Sequence, residues 1–214
     1  MELENRAAGS PAAEMRIGID FDNTLIGYDA VFRSAAQERG LISRDFSGNK
    51  QAVRDAIRAA PHGELAWQRL QGYVYGAGIG GAVMLDGAEA FLRRCKAARH
   101  DVFIVSHKTE LGHHDPSGVN LRAAALAWMD AHGFFAAGGC ALPRENVFFE
   151  ATRAEKLKRI AALRCTHFID DLPEVLTDAA FPPGIARVLF GSGQAQANMA
   201  ICGSWREIAE AVLP

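Results

Sequence analysis

Two carboxylates stand two residues apart at the end of a short apolar run, Ile17-Gly18-Ile19-Asp20-Phe21-Asp22-Asn23-Thr24, with a hydroxyl just beyond them. Side chains alternate along an extended strand, so Asp20 and Asp22 share a face there and repel each other. A cation between them removes that repulsion. Mg2+ fits, because it takes oxygen ligands and is often held by one or two carboxylates together with a substrate phosphate. Asp-x-Asp-x-Thr is a short pattern by itself, and acidic turns after strands are common. Three further stations along the chain add to it. Val102-Phe103-Ile104-Val105 ends in Ser106-His107-Lys108, a small hydroxyl followed by basic groups that suit phosphoryl oxygens. Lys156 falls in the first turns of a helix-like segment from Arg153 to Leu163, and Thr166-His167-Phe168-Ile169 leads into a second acidic pair, Asp170-Asp171.

In this order the four stations resemble the haloacid dehalogenase (HAD) superfamily of phosphotransferases, over nearly the whole chain from Arg16 onward. The resemblance implies that Asp20 is the nucleophile and Asp22 the general acid and base, with Thr24 completing the motif. It implies that Ser106 and Lys156 hold the phosphoryl oxygens; Thr24 and Lys108 join them as phosphate-binding candidates. It also implies Mg2+ as cofactor, in a site formed by Asp20 and Asp22 and closed by Asp170 and Asp171. Asp171 is expected as the direct ligand and Asp170 as a water-mediated or orienting partner. One detail departs from the family pattern: the further acid expected four or five residues on is replaced by Val175 and Leu176, with Glu174 one residue nearer.

The chemistry of the residues agrees with these roles. A phosphomonoester is doubly negative, so a carboxylate attacks it only where cations neutralise the site, as Mg2+ and the Lys156 ammonium would. Attack by Asp20 gives an aspartyl-phosphate and splits one slow step into two. Asp22 would protonate the departing alkoxide and later deprotonate water. Its presence speaks against halide displacement, which needs no proton on the leaving group.

Strands are expected at Arg16 to Asp20, Val102 to Ser106, Asn146 to Glu150, Thr166 to Asp170 and Ala186 to Phe190. They alternate with helical patterns such as Gly87 to Arg99 and Val119 to His132. Such alternation implies an α/β fold, a three-layer Rossmann-like parallel sheet covered on both faces, with ligands bound beyond the carboxyl ends of its strands. Ser204, with Glu207 three residues on, caps a last helix that packs Trp205 on the sheet. The domain division that follows is a loose tail over 1–15, a catalytic core over 16–25 and 84–214, and an insertion over 26–83.

That insertion is too long for an ordinary crossover. Ala30 to Arg39, Asn49 to Ala60 and Glu64 to Tyr75 look helical, broken by Gly40, Pro61-His62-Gly63 and the glycine run from Gly76 to Gly81. It resembles the family's small type-1 helical cap, which closes over the site and chooses a small substrate; the glycine run would be its return hinge. Trp67, Tyr73 and Tyr75 suit either stacking on a base or sugar or the cap's own core. Arg33, Arg54, Arg58 and Arg69 suit either a second anionic group or a solvated helix face. Lys50 is the one lysine of the insertion. His107, His113, His114 and Asp115 lie in a stretch that suits a plain solvated loop or the rim of a site better than a transition-metal cluster. His167 is expected in the core.

The composition bounds the partners. The 214 residues are 49% hydrophobic, enough for one sizeable core with a smaller appendage. Twenty-three basic against 25 acidic residues leave a net charge of -2, so no global field attracts nucleic acid or anionic membrane. No apolar stretch approaches the ~20 residues of a membrane span. The start lacks the basic and apolar regions of a signal peptide. Cys95, Cys140, Cys165 and Cys202 are widely spaced, as reduced core thiols of a cytoplasmic enzyme would be. The expected function is Mg2+-dependent hydrolysis of a small phosphorylated metabolite, a sugar phosphate or nucleotide, in a chain whose oligomeric state stays open. The alternatives are a phosphomutase or phosphonate hydrolase of the same superfamily, the latter using Lys50 as an amine, and a non-catalytic binding module.

Overall fold

The computed structural model describes residues 14–194 and 198–213; positions 1–13, most of the expected tail, lie outside the described residues. The strands are β1 (Arg16–Ile19), β2 (Ile26–Gly27), β3 (Val83–Met84), β4 (Asp101–His107), β5 (Val147–Glu150), β6 (His167–Asp170), β7 (Ala186–Phe190) and β8 (Met199–Cys202). The helices are α1 (Asp29–Glu38), α2 (Lys50–Arg58), α3 (Gly63–Tyr75), α4 (Ala88–Ala97), α5 (Leu121–Ala131), α6 (Arg153–Ala162), α7 (Pro173–Leu176) and α8 (Trp205–Val212). All five expected core strands and the expected helices are present, with boundaries moved by one or two residues.

Six strands form one parallel sheet in the order β5-β4-β1-β6-β7-β8. β1 is central, with Ile19 level with Ile104 of β4 on one side and with Ile169 of β6 on the other. The chain departs from β1 in both directions, so Asp20 opens at the point where strand order reverses, the usual ligand crevice of such sheets. Alternate side chains feed two cores. Ile17, Ile19, Ile104 and Val188 join Phe91, Trp128 and Trp205 from α4, α5 and α8. Phe103, Val105 and Phe168 join Leu157, Ile160 and Leu176 from α6 and α7 on the other face. Trp205 packs on Phe91 and Phe190 and donates its indole N–H to the Thr24 carbonyl at 2.9 Å, tying the last helix to the first loop. Ser204 accepts from the Glu207 amide at 3.3 Å, and the Glu207 carboxylate accepts from the Gly203 amide at 2.8 Å.

β2 and β3 pair antiparallel, Ile26 with Met84 and Gly27 with Val83, and bracket the insertion. Between them α1, α2 and α3 pack on one another, and Phe32 stacks on Trp67 with ring centroids 4.9 Å apart. Phe32, Val53, Ile57, Trp67 and Leu70 belong to the same apolar cluster as Ile17 and Ile19, so the insertion is seated on the core. The glycine run forms a 3-10 turn, Ile79–Gly81, and the Trp128 indole of α5 donates to Ala82 at 3.2 Å.

Three strands escaped the sequence. β2 and β3 have two residues each, too few to show alternation, and β8 follows a glycine-rich segment at the sheet edge. His167, expected in the core, is half-buried at the start of β6, remote from the strand's acidic end. All four cysteines are free and buried; burial pushes the Cys95 thiol up to about 12 and that of Cys165 up to about 11, as inert core thiols require. Among the described residues no helix is long and apolar enough to cross a membrane.

Candidate active site

Asp20 directly follows β1 and is buried; its amide donates to the Ile169 carbonyl at 2.9 Å, which holds it beside β6. Asp170 ends β6 and is fully buried. Between them lies the Lys156 ammonium, 2.6 Å from Asp20 Oδ1 and 2.6 Å from Asp170 Oδ2. A reciprocal capping box starts α6: Thr152 accepts from the Glu155 amide at 3.2 Å, and the Glu155 side chain accepts from the Thr152 amide at 3.0 Å. It fixes the helix start and with it Lys156, one turn in. Burial by itself lowers the Lys156 pKa, but Asp20 and Asp170 more than reverse that and hold it above its ordinary value. The ammonium is therefore charged across the physiological range.

Asp171 completes the acidic group. Carboxylate oxygens of Asp20, Asp170 and Asp171 all lie within 4.8 Å of one another. Burial, and after it the charge of Asp20, raises the pKa of both Asp170 and Asp171. Three carboxylates held this close are hard oxygen donors with one shared ammonium, which is the donor chemistry of Mg2+. Asp170 already accepts from Lys156 and from the Leu172 amide at 2.9 Å, whereas Asp171 opens into the cavity described below.

Asp22 stands apart from this trio. Its carboxylate receives Lys108 Nζ at 2.8 Å and the Tyr28 hydroxyl at 2.6 Å. Burial, then the negative charge of Asp22, holds the Tyr28 phenol well above its ordinary pKa, so it remains a donor. The pairing arises because the chain leaves the strand register at Phe21: Asn23 takes a left-handed conformation (φ 59°), its amide bonds to the Ile26 carbonyl, and Asp22 bridges to Ile26. Asn tolerates that geometry better than most residues. The turn takes Asp22 out of the straight-strand register expected above, and its side chain lies outside the group formed by Asp20, Asp170 and Asp171.

A cavity of about 660 Å³ opens over these groups, within the range for small-molecule sites. Asp20, Asp22, Ser106, Lys108, Lys156 and Asp171 line its core wall. Lys50, Gln68, Gln71, Gly72 and Tyr75 line the opposite wall, from the insertion. Ser106 is near the end of β4, buried, and lines the cavity. Lys108 lines it too, but its charge is engaged by Asp22. Thr24, expected at phosphate, is instead fully buried outside the lining, with its hydroxyl 3.4 Å from Asp171 Oδ1. Glu174 lines the rim but is not part of the acidic trio.

Of the aromatic residues proposed for stacking, Trp67 is core, Tyr73 lies under the Arg39 guanidinium at 3.8 Å, and Tyr75 alone faces the cavity. The four insertion arginines are not in its lining. Arg33 donates to the Gly48 carbonyl, Arg54 pairs with Asp55 and Arg58 with Glu64. From the histidine loop, His107 and His113 reach the lining. That loop is docked on the insertion through two glycines: a Cβ on Gly112 would lie 2.5 Å from Gly72 Cα, and a Cβ on Gly72 would lie 2.5 Å from Asp115 Cβ. Tyr28 and Asn23 were not singled out from the sequence. The left-handed preference of Asn was a usable signal for the turn; nothing local signals that Tyr28 meets Asp22.

Against known proteins, no family model matches the chain and no curated protein matches it. Solved structures do. A HAD-superfamily hydrolase of subfamily IA from Geobacter sulfurreducens superposes with a TM-score of 0.59 at 14% identity, covering 96% of this chain and 100% of that one. A haloacid dehalogenase-like hydrolase from Xanthomonas campestris gives 0.57 at 10% identity over 93% and 94% of the two chains. A HAD family hydrolase from Deinococcus radiodurans, with bound phosphate and sodium, gives 0.55 at 15% identity over 94% and 96%. The chain therefore has the haloacid dehalogenase-like fold, a Rossmann-like parallel sheet whose full length is matched together with its insertion. At these identities the likeness is one of architecture, and the chemistry rests on the residues of the site.

Proposed function

We propose that the protein is a Mg2+-dependent phosphomonoester hydrolase acting on a small phosphorylated metabolite through an aspartyl-phosphate on Asp20. The observation that carries this reading is the buried Asp20–Lys156–Asp170 group, with Asp171 beside it, at the floor of a cavity of small-molecule size. In and beside the cavity lining five carboxylates, Asp20, Asp22, Asp170, Asp171 and Glu174, stand with four cations, Lys50, Lys108, Lys156 and Arg153. A phosphate dianion adds further negative charge, so the site lacks positive charge by itself. Asp20, Asp171 and Asp170 would hold Mg2+, which supplies that charge when bound.

Asp20 attacks phosphorus in line: an Asp20 oxygen–phosphorus bond forms and the bond to the leaving oxygen breaks. Lys156 pairs with Asp20 and takes up charge on the phosphoryl group, to which the Ser106 hydroxyl donates. In its protonated form Asp22 gives its proton to the leaving alkoxide; the carboxylate that remains removes one from the water that attacks the acyl phosphate, which restores the protonated form. Lys108 and Tyr28 hold that carboxylate in one orientation. The wall contributed by the insertion limits the substrate to a small molecule, and neither nucleic acid nor membrane has a part in this reading.

Among the alternatives, the phosphonate hydrolase gains one observation, Lys50 in the cavity lining. It gives no task to Asp22, whose proton a phosphomonoester's departing oxygen needs. The test is phosphate release from a panel of sugar phosphates, nucleotides and small organic phosphates, with Mg2+ or EDTA, on wild type and Asp20→Asn. Release that requires Mg2+ and disappears in the variant supports the reading; activity retained by the variant overturns it.

A further inference from the structure

The three ammoniums of the cavity are not equivalent. Lys156 is shared by Asp20 and Asp170, and Lys108 is engaged by Asp22. Lys50 forms no salt bridge among the described residues. Its Nζ donates to the Asn23 side-chain oxygen at 3.4 Å and lies 5.5 Å from the rings of Phe32 and of Tyr75. A long hydrogen bond and two aromatic faces compensate a partly buried ammonium only in part.

Its position is nonetheless fixed. Lys50 is the first residue of α2, where Asn49 caps the helix by accepting from the Ala52 amide at 3.0 Å. The Lys50 amide itself donates to Asp29 Oδ1 at the start of α1, at 2.8 Å. Two helix starts thus place one cation without a salt bridge in the cavity lining, which the insertion also builds from Gln68, Gln71 and Tyr75.

From this we infer that Lys50 binds a second anionic group of the substrate, a carboxylate or a second phosphate on the leaving-group side, and so selects metabolites that carry two anionic ends. Burial pushes the Lys50 pKa down, against the pull of Asp22, Asp171 and Asp29, and an anion brought alongside would offset that cost. The inference rests on the phosphatase reading of the same cavity, and its test is independent of turnover.

Three compounds with an unreactive carbon–phosphorus bond serve as probes: propylphosphonate, phosphonopropionate and propylenediphosphonate. Their binding to wild type, Lys50→Gln and Lys50→Arg is measured by titration calorimetry with Mg2+ present. Wild type is expected to bind the two doubly anionic probes about tenfold more tightly than propylphosphonate, as a charge-assisted contact warrants. The tighter of the two identifies the second anion. Lys50→Gln is expected to erase that preference while binding propylphosphonate as wild type does, and Lys50→Arg to keep it in part. Equal affinity of wild type for all three probes, an equal loss for all three in Lys50→Gln, or no binding of any probe to wild type overturns the inference. Phosphate release from the substrate panel decides the hydrolase reading separately.

Discussion

The two walls of the cavity are built on opposite plans. On the core side each lysine is salt-bridged: Lys156 to Asp20 and Asp170, and Lys108 to Asp22. On the insertion side, Lys50 faces the cavity without a counter-ion, beside glutamines and a tyrosine. A wall whose lysines are already held by carboxylates is pre-organised, which suits a reaction common to many phosphomonoesters. A wall with an unneutralised group is completed by its ligand, which suits choice among them.

The largest expected effect strikes the core wall. Asp20→Asn keeps the volume but removes the nucleophile, and phosphate release should fall by about a thousandfold or more, with the melting curve little changed. A variant that keeps turnover would place the chemistry elsewhere in the cavity. Lys156→Met should also be inactive but for a different reason. It leaves Asp20 and Asp170 buried without their partner, and stability should drop by about 3–5 kcal/mol in denaturant titration. An unchanged midpoint would mean that the core wall is not held together by these ion pairs.

Cation binding gives a smaller, pH-dependent effect. The Asp170 and Asp171 carboxyls have higher pKa values folded than unfolded. Above the unfolded value near ~4, the folded chain therefore holds more protons than the unfolded one, and this cluster's contribution to stability falls as pH rises. Mg2+ should relieve that, raising Tm by several degrees at about pH 8 and by less at about pH 5. Equal shifts at both pH values would detach the acidic trio from cation binding. The smallest effect is expected on the outer face of the insertion. Arg54→Ala breaks an exposed pair with Asp55 and should leave both stability, within about 0.5 kcal/mol, and substrate choice unaltered. A change in substrate preference would mean that the insertion selects through more than its inner face.

Local physics made much of this molecule legible in one dimension. β-branched runs bounded by polar turns marked the five core strands, and Ser204 with Glu207 marked the last helix. A strand's carboxyl end and a helix's first turn are sequence-local features, so Asp20, Ser106, Lys156 and Asp170 could be assigned to one edge of a parallel sheet before their contacts were known. The residues beside them were harder because their roles depend on pairings across the chain. Thr24 passed for a phosphate contact until the fold placed its hydroxyl against Asp171, 147 positions away. The turn at Asn23 brings Asp22 to Lys108 and Tyr28, contacts that no spacing in the sequence announces.

Arg33, Arg54 and Arg58 could not be told from anion-binding groups by composition, since an arginine's partner depends on which helix face is solvated. The sequence by itself determined the fold class and the kinds of groups available for chemistry, because period, propensity and capping act over a few residues. Which carboxylate neutralises which lysine, and which lysine is left for a ligand, only the tertiary structure decided. Charge pairing acts over a few ångströms in space, and the pairs of this site join residues 86, 136 and 14 positions apart.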